Sequence, residues 1–464
     1  MPHTSLLPAF QRLRAASRAE PAPGAAARRD SLERLAALVR AQAPALAAAI
    51  DADFGGRSPD ETRLLEVVPL LRGIRYAQRR LAGWMRDERR PVEWPFLPGR
   101  AWVRHEPLGV VGILSPWNYP LLLALSPLTD ALAAGNRVFL KPSERTPRFA
   151  DLLARLLAEA FPPDQVMVAT GDVSVAQAFA ALPFDHLLFT GSTATGRLVA
   201  RAAAENLTPV TLELGGKSPA LVAADYGLER AARSIAFGKF LNAGQTCIAP
   251  DYALVPRAGL ERFGRAVIAA AERAYPSLAG NADYSAVPGV AAQQRLAAAL
   301  AEAEAAGARI LRHGGGDAAG RIAPAVVLEP PPGGLLLQEE IFGPILPVLG
   351  YDDLEQALAL IAARERPLAL YCFSGDRATW RRVLDGATSG GATLNGTLLH
   401  IAQDGLPFGG IGASGMGHYH GRWGFDTFSK LKPVLFQSRL SGIGLAAPPY
   451  SQRTRWLMRL MGRL

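Results

Sequence analysis

Two stretches near the start of the chain carry apolar residues at helical spacing. In 31–54, Leu32, Leu35, Val39, Leu46 and Ile50 fall along one side of a helix. ETRLLEVVPLLRGIRYAQRRLAGWM continues the pattern, and Pro69 is expected to bend or interrupt it. Both read as scaffold helices. From 108 the rhythm changes. GVVGIL and RVFLK are apolar runs of strand length, while LLLALSPLTDALAAG, ending at Gly135, and RFADLLARLLAEAF read as helices. QVMVATG, VSVAQAFAAL and DHLLFTG carry the alternation on. Strands and helices alternating at this spacing predict an α/β fold built on a parallel sheet with right-handed crossovers. Ligands on such sheets sit at the carboxyl ends of the strands, which is where the loops SPWNYP, KPSE and TGSTATG fall.

A second α/β pattern fills the later part. Its helices are predicted at 228–243, 259–274, 291–306 and 352–364, and its strands at YALVP, ARILRH, APAVVLE, ILPVLG and LALYCFS. HGGGDAAG, 313–320, reads as a surface turn because no helix begins after it. There is no internal repeat.

Composition narrows the class. The 464 residues suggest two or three domains, and 49% of them are apolar, enough for sizeable cores. No run approaches the ~18 uninterrupted apolar residues of a membrane span. The only two cysteines, Cys247 and Cys372, cannot frame a disulfide scaffold or a cysteine-rich zinc site, which fits a reducing, cytoplasmic setting. The formal charge is +9, but the basic residues are scattered, many of them arginines on alanine-rich helices. A solvated surface explains this better than an anionic partner, and no nucleic-acid signature accompanies it. MPHTSLLPAFQRLRAASR has some transit-peptide character, and reads equally as a plain helix followed by the linker AEPAPGAAA.

Several motifs carry candidate chemistry. GGIGASG matches G-x-G-x-x-G, but no strand precedes it and no helix follows, so a tight structural loop is expected. FTGSTATGRL places Gly191 and Gly196 at P-loop spacing, yet Arg197-Leu198 stands where Lys-Ser/Thr is required. It remains a strand-to-helix turn whose amides can meet a phosphate. His418 and His420 lack a carboxylate or cysteine at ligand spacing, so a structural or interface role is expected rather than metal. Cys247 lies in NAGQTCIAP among small and polar neighbours, unlike a core thiol. Glu213 ends a strand before Gly215-Gly216, and Asn118 sits in SPWNYP. A thiol, a carboxylate and an amide donor suit chemistry at a carbonyl. The bland alternative is a buried thiol, a surface glutamate and a turn asparagine.

Taken in order, SPWNYP, KPSE, FTGSTATG, ELGGKSP, NAGQTCIAP, EEIFGP and LPFGGIGASGMGHYHGRWGFDTFS resemble the aldehyde dehydrogenase superfamily over about residues 30–440. GMGHYHG, FDTFS and PPY at 448–450 look most like its class 3 and coniferyl-aldehyde dehydrogenase groups. The resemblance implies a Rossmann-like NAD(P)-binding domain (1–85 and 107–211) and an α/β catalytic domain (212–409). It also implies a small β oligomerisation extension (86–106 and 410–440) and a tail (441–464). Cys247 would be the nucleophile, Asn118 with the Cys247 N–H the oxyanion hole, and Glu213 the general base. Lys141 and Glu144 would hold the adenosine ribose, and Ser192 with the Gly191 loop and Gly196 the pyrophosphate. Trp117, Leu214, Glu340 and Phe342 would shape the nicotinamide end.

The implied reaction is oxidation of an aldehyde, aromatic or medium-to-long aliphatic, to its acid through a thiohemiacetal and a thioester. Glu144 would accept hydrogen bonds from ribose hydroxyls and repel a 2′-phosphate, favouring NAD over NADP. A homodimer is expected, with no nucleic-acid partner. The rivals are a CoA-acylating enzyme, a reductase of activated carboxylates and a non-catalytic NAD-binding scaffold. Glu213 argues against the first, and the joint presence of Cys247, Glu213, Asn118 and Lys141 against the last. Two departures from the class 3 pattern stand out: 281–296 lacks the usual Asn/Asp-Arg pair, and Asp404 stands where relatives often carry His. The tail SQRTRWLMRLMGRL puts Trp456, Leu457, Leu460, Met461 and Leu464 on one stripe with arginines off it. That suits packing against protein or contact with an anionic membrane surface.

Overall fold

A computed structural model describes residues 6–314, 320–440 and 448–461. The predicted alternation is present as an α/β fold with two largely parallel sheets. In the first, the strands Val110–Leu114, Arg137–Lys141, Val166–Val168, His186–Thr190 and Val210–Glu213 are parallel, and Gly415–Met416 adds one antiparallel edge beside Val210–Glu213. The second sheet has seven strands. Six are parallel, and Arg309–Arg312 closes one edge antiparallel. Its strand Pro219–Val222 lies between Tyr252–Pro256 and Ala369–Phe373 and was not anticipated. Four buried apolar residues carry no periodicity of their own, and their ladder bonds come from strands distant in sequence.

The two amphipathic stretches behave as scaffold. The first forms Ala25–Phe54, beginning earlier than its apolar stripe suggested. Among the described residues it is the one helix long and apolar enough, by length and composition, to cross a bilayer. Its Leu32, Leu35, Val39, Leu46 and Ile50 are instead fully buried against Val68–Trp84, Pro120–Ala134 and Pro147–Ala160. Pro69 does not break the second stretch. The α-helix is interrupted beside it instead, by the π-helical turn Arg63–Val67, through which the chain stays helical into Val68–Trp84.

The N-terminal stretch forms the helix Leu6–Ala19, with Leu6, Phe10 and Leu13 buried and Phe10 edge-on to Phe184. Glu88–Arg90, Arg100–Pro107 and Ser429–Phe436 form a separate antiparallel three-stranded sheet. Most of HGGGDAAG, residues 315–319, lies outside the described residues, as does Leu464. Within the tail, Gln452–Met461 is helical with Trp456 and Leu460 exposed.

Candidate active site

A cavity of about 600 Å³ opens at the carboxyl ends of the first sheet. The strands Val110–Leu114, Arg137–Lys141 and His186–Thr190 deliver the loops 115–118, 142–145 and 191–192 to its wall, and Glu213 ends the next strand. Cys247, Glu213, Asn118, Trp117, Lys141, Glu144, Gly191, Ser192, Glu340 and Phe342 all line it. Gly196 and Leu214 do not. They lie behind the wall, where a Cβ on Gly196 would press into the Leu214 side chain. Their closeness brings the helix Thr193–Ala204 down onto the strand end.

The loop bearing Cys247 is shaped by three consecutive left-handed residues: Asn242 (φ 51°), Ala243 (φ 50°) and Gly244 (φ 77°). Two of these are not glycine, a costly arrangement that persists only when the surroundings fix it. Here they do. The Asn242 N–H donates to Glu61 Oε1 (2.9 Å), and its amide donates to the carbonyls of Asn118 (3.1 Å) and Gln245 (3.2 Å). Gln245 Nε2 donates to the carbonyls of Asn242 (2.9 Å) and Ala286 (3.0 Å). Gly244 must be glycine, since a Cβ would overlap the Gly343 carbonyl. The loop turns the thiol toward the cavity while the Asn242 and Gln245 side chains face inward, their amide N–H groups bonded and their amide oxygens without a partner among the described residues.

Asn118 shares this network. Its Nδ2 donates to the Gln245 carbonyl (3.0 Å), leaving the second amide hydrogen for another acceptor. Glu213 is completely enclosed, and neither carboxylate oxygen has a hydrogen-bond partner among the described residues. Burial pushes its carboxyl well above the usual range. The Cys247 thiol is pushed up to about 12, first by burial and then by Glu340 and Glu213. Glu340 is itself raised to about 8 by burial and Asp251, against the Gly216 N–H, Lys217 and Lys239. A Cβ on Gly215 would overlap the Glu340 carboxylate, so Gly215-Gly216 leaves that carboxylate its seat. Lys217 pairs with Asp251 and donates to the Leu336 and Glu339 carbonyls (2.8 Å each), fixing the segment that carries Glu340.

At the other end, Lys141 is buried and donates to Glu144 Oε2 (3.1 Å) and the Pro142 carbonyl (3.0 Å). Ser192 caps the helix Thr193–Ala204, accepting from the Thr195 N–H (3.3 Å). Trp117 packs edge-on against Phe342 (5.7 Å), and the Arg145 guanidinium lies over the Trp117 ring (4.2 Å). Arg145 and the apolar slot formed by Val173, Ala176, Leu198 and Val199 were missed from sequence. Val173 and Leu198 are exposed large apolar residues facing each other's helices, a signal visible only once the two helices are packed.

GGIGASG is the structural loop expected, and it serves Glu213 directly. Gly415 pairs with Glu213, the Ser414 carbonyl accepts from the Leu214 N–H (3.1 Å), and a Cβ on Gly410 would overlap Ser414. His420 is half-buried and stacked on Phe408.

The profile of the aldehyde dehydrogenase family matches residues 9–434. The chain belongs to the aldehyde dehydrogenase family. This aldehyde dehydrogenase is 50% identical over 449 residues to a probable coniferyl aldehyde dehydrogenase of Pseudomonas aeruginosa, covering 97% of this chain and 94% of the relative. It superposes on Staphylococcus aureus AldH in a substrate-bound state with a TM-score of 0.92, 36% identity and 98% of each chain covered. A Pseudomonas syringae indole-3-acetaldehyde dehydrogenase in complex with NAD+ gives a TM-score of 0.86 at 28% identity, over 94% of this chain and 89% of that one. The coniferyl-aldehyde resemblance read from the C-terminal motif thus holds over the whole aldehyde dehydrogenase chain.

Proposed function

We propose that this aldehyde dehydrogenase oxidises an aldehyde to its carboxylic acid with NAD as hydride acceptor and water as acyl acceptor. The observation that carries this reading is the meeting of Cys247, Glu213 and Asn118 in one cavity at the sheet's carboxyl edge. The cofactor fits the residues present. Glu213, Thr190 and Ser115 all turn buried, unpartnered oxygen atoms to this cavity wall, and the capped N-terminus of Thr193–Ala204 offers amides to a phosphate. Lys141 and Glu144 would hold the ribose, the Gly191–Ser192 turn the pyrophosphate, and Trp117, Glu340 and Phe342 the nicotinamide end. Gly196 and Leu214 would support that turn from behind.

Cys247 gives its proton to solvent water and its sulfur adds to the aldehyde carbon. The oxyanion is held by the free amide hydrogen of Asn118 and the Cys247 N–H. Bound NAD+ would supply the hydride acceptor here, and loss of hydride from the tetrahedral carbon leaves a thioester on Cys247. Glu213 then accepts a proton from water as it attacks the thioester, and the acid departs. Glu213 is the group that separates hydrolysis from transfer to CoA. Glu144 beside the ribose favours NAD, and Arg145, lying over Trp117, is turned to the ring rather than to a 2′-phosphate.

The sheets support the division of labour implied by the resemblance. Residues 1–85 and 107–211 would bind cofactor, 212–409 would supply catalysis, and 86–106 with 410–440 would join two copies of the chain. The exposed Leu431, Leu435 and Phe436 on the three-stranded sheet suit that contact. The scattered positive charge suits no nucleic acid, and the two free cysteines suit a cytoplasmic setting.

The test is chromatographic detection of the acid formed from coniferaldehyde, benzaldehyde, hexanal or decanal with NAD and no CoA. Acid that appears with the wild type and vanishes in Cys247→Ala is expected. Acid formation unchanged in that variant, or dependent on CoA, would defeat the reading. Comparing kcat/KM for NAD and NADP tests the cofactor choice, and a value for NADP equal to or above that for NAD would overturn it.

A further inference from the structure

A second cavity, of about 300 Å³, lies across the helix Pro120–Ala134 from the first. Leu123 faces the first cavity, whereas Leu122, Ser126, Thr129 and Asp130 face the second at the spacing of one helix face. The remaining wall is largely apolar and includes Val68, Ile74, Phe237, Leu241, Leu398 and Ile401. Two elements join it to the site: Leu241 on its wall immediately precedes the left-handed turn of the Cys247 loop, and Leu122 on its wall lies in the first turn of the helix that follows the Asn118 loop. This is where an aldehyde would enter, opposite the cofactor.

Among the cavity's ionisable side chains, Asp404 is distinctive. The Asp130 carboxylate is enclosed and accepts the His420 N–H (3.2 Å), and the His420 imidazole is held neutral by burial. Asp404 is half-buried, and its carboxylate accepts no hydrogen bond from any described residue. Arg72, on the same wall, is the charge that opposes it. An anionic aldehyde would be repelled by Asp404 and a cationic one by Arg72. A purely apolar aldehyde would strip water from Asp404 and return nothing. A neutral aldehyde with a hydroxyl donor replaces the lost water bond. Sites with a polar group to satisfy discriminate strongly against analogues that lack its partner.

We propose that Asp404 is a specificity residue that accepts a hydrogen bond from a hydroxyl group carried by the aldehyde away from its carbonyl. The cavity is then selective for neutral phenolic aldehydes over their O-methyl ethers. The inference rests on the aldehyde-oxidation reading, and its test separates the two. The probes are coniferaldehyde, its 4-O-methyl ether and hexanal, with NAD at pH 6.5, acid product being measured for wild type, Asp404→Asn and Asp404→Ala. The wild type should show a kcat/KM for the phenol at least tenfold above that for the ether. Asp404→Ala should bring the two within about twofold, chiefly by lowering the phenol's value, and Asp404→Asn should fall between. Equal values for phenol and ether in the wild type, or an undiminished preference in Asp404→Ala, would overturn the inference while oxidation of hexanal keeps the broader reading. Oxidation of none of the three would overturn both.

Discussion

Arg57 and Glu66 form an ion pair (3.2 Å) from which solvent is wholly excluded, and each partner grips one side of the loop that ends in Asn118. Arg57 Nη1 donates to the Asn118 carbonyl (2.7 Å). Glu66 Oε2 accepts the N–H groups of Leu121 (2.8 Å) and Leu122 (3.1 Å), the first turn of the helix Pro120–Ala134. The guanidinium lies between the rings of Phe54 and Tyr119, 4.9 Å from each. The Tyr119 hydroxyl bonds Thr246 (2.5 Å), next to Cys247. A charge pair in the core therefore sets the distance between Asn118 and Cys247, the proposed oxyanion donor and nucleophile.

Removing one partner leaves a buried, uncompensated charge, at a cost of about 3–5 kcal/mol. Arg57→Met should lower the melting temperature substantially. Glu66→Gln, which keeps the shape and loses the charge, should fold at reduced temperature with NAD affinity within about twofold of wild type. Its kcat should fall roughly tenfold or more, because misplacement of an oxyanion donor acts on the transition state. A rise in KM with kcat unchanged would show that the pair acts on binding instead. Fluorescence titration with NAD, thermal melts and steady-state kinetics separate these outcomes.

The thiol of the free enzyme, at about 12, is protonated throughout the neutral range. Alkylation of Cys247 by iodoacetamide should rise about tenfold per pH unit from pH 7 to 9 without a plateau. Glu340 is a negative neighbour only above its own value of about 8, so Glu340→Gln should speed alkylation at pH 9 more than at pH 7. A plateau below pH 8 in the free enzyme would contradict the enclosed geometry. Mass spectrometry of the labelled peptide distinguishes Cys247 from the buried Cys372.

Gly215 and Glu340 occupy a space that admits only one side chain. Gly215→Ala should displace the carboxylate and cut kcat/KM at least tenfold. In an Glu340→Ala background the same methyl finds room, so the double variant should lose little beyond Glu340→Ala alone. Such non-additivity is expected of residues in direct contact. Additive losses in the cycle would place the fault elsewhere.

His186 is buried and His420 half-buried, and desolvation lowers both to about 4. An unfolded histidine binds its proton near 6.5, so between about pH 6.5 and 4 the unfolded chain holds more protons than the folded one. Stability falls as pH drops through that window, by about 3 kcal/mol for each such group. The His186 ring bonds the Thr211 hydroxyl (2.9 Å) and lies edge-on to Phe428, and it does not line the cavity. Thermal melts of His186→Met should lose less stability between pH 7 and 4.5 than the wild type does. An equal loss would rule His186 out as a source of acid lability.

Much of the site was legible because chemistry and chain punctuation coincide in sequence. Strand ends opening into SPWNYP, KPSE and TGSTATG pointed to the carboxyl edge, and ten of the twelve expected site residues line one cavity there. Gly196 and Leu214 did not, because a glycine at a helix start serves packing as readily as ligand approach, and sequence does not say which. The strand Pro219–Val222 depends on neighbours distant in the chain. So does the Arg57–Glu66 clamp: an arginine and a glutamate nine residues apart carry no sequence signal until the fold closes around them. The left-handed turn at Asn242–Gly244 is the clearest case. Its conformation is imposed by Glu61 and Asn118 from outside the motif.

The account stands most directly on Glu213 as the group that activates water. Glu213→Gln should leave thiol addition and hydride loss intact and stall the thioester. Mixing the variant with NAD and an aldehyde should give one equivalent of NADH per site, and intact-mass analysis should find the acyl group on Cys247. Steady turnover should be lost by a factor of about a hundred or more. Sustained turnover near the wild-type rate, with no acyl group retained on Cys247, would contradict it.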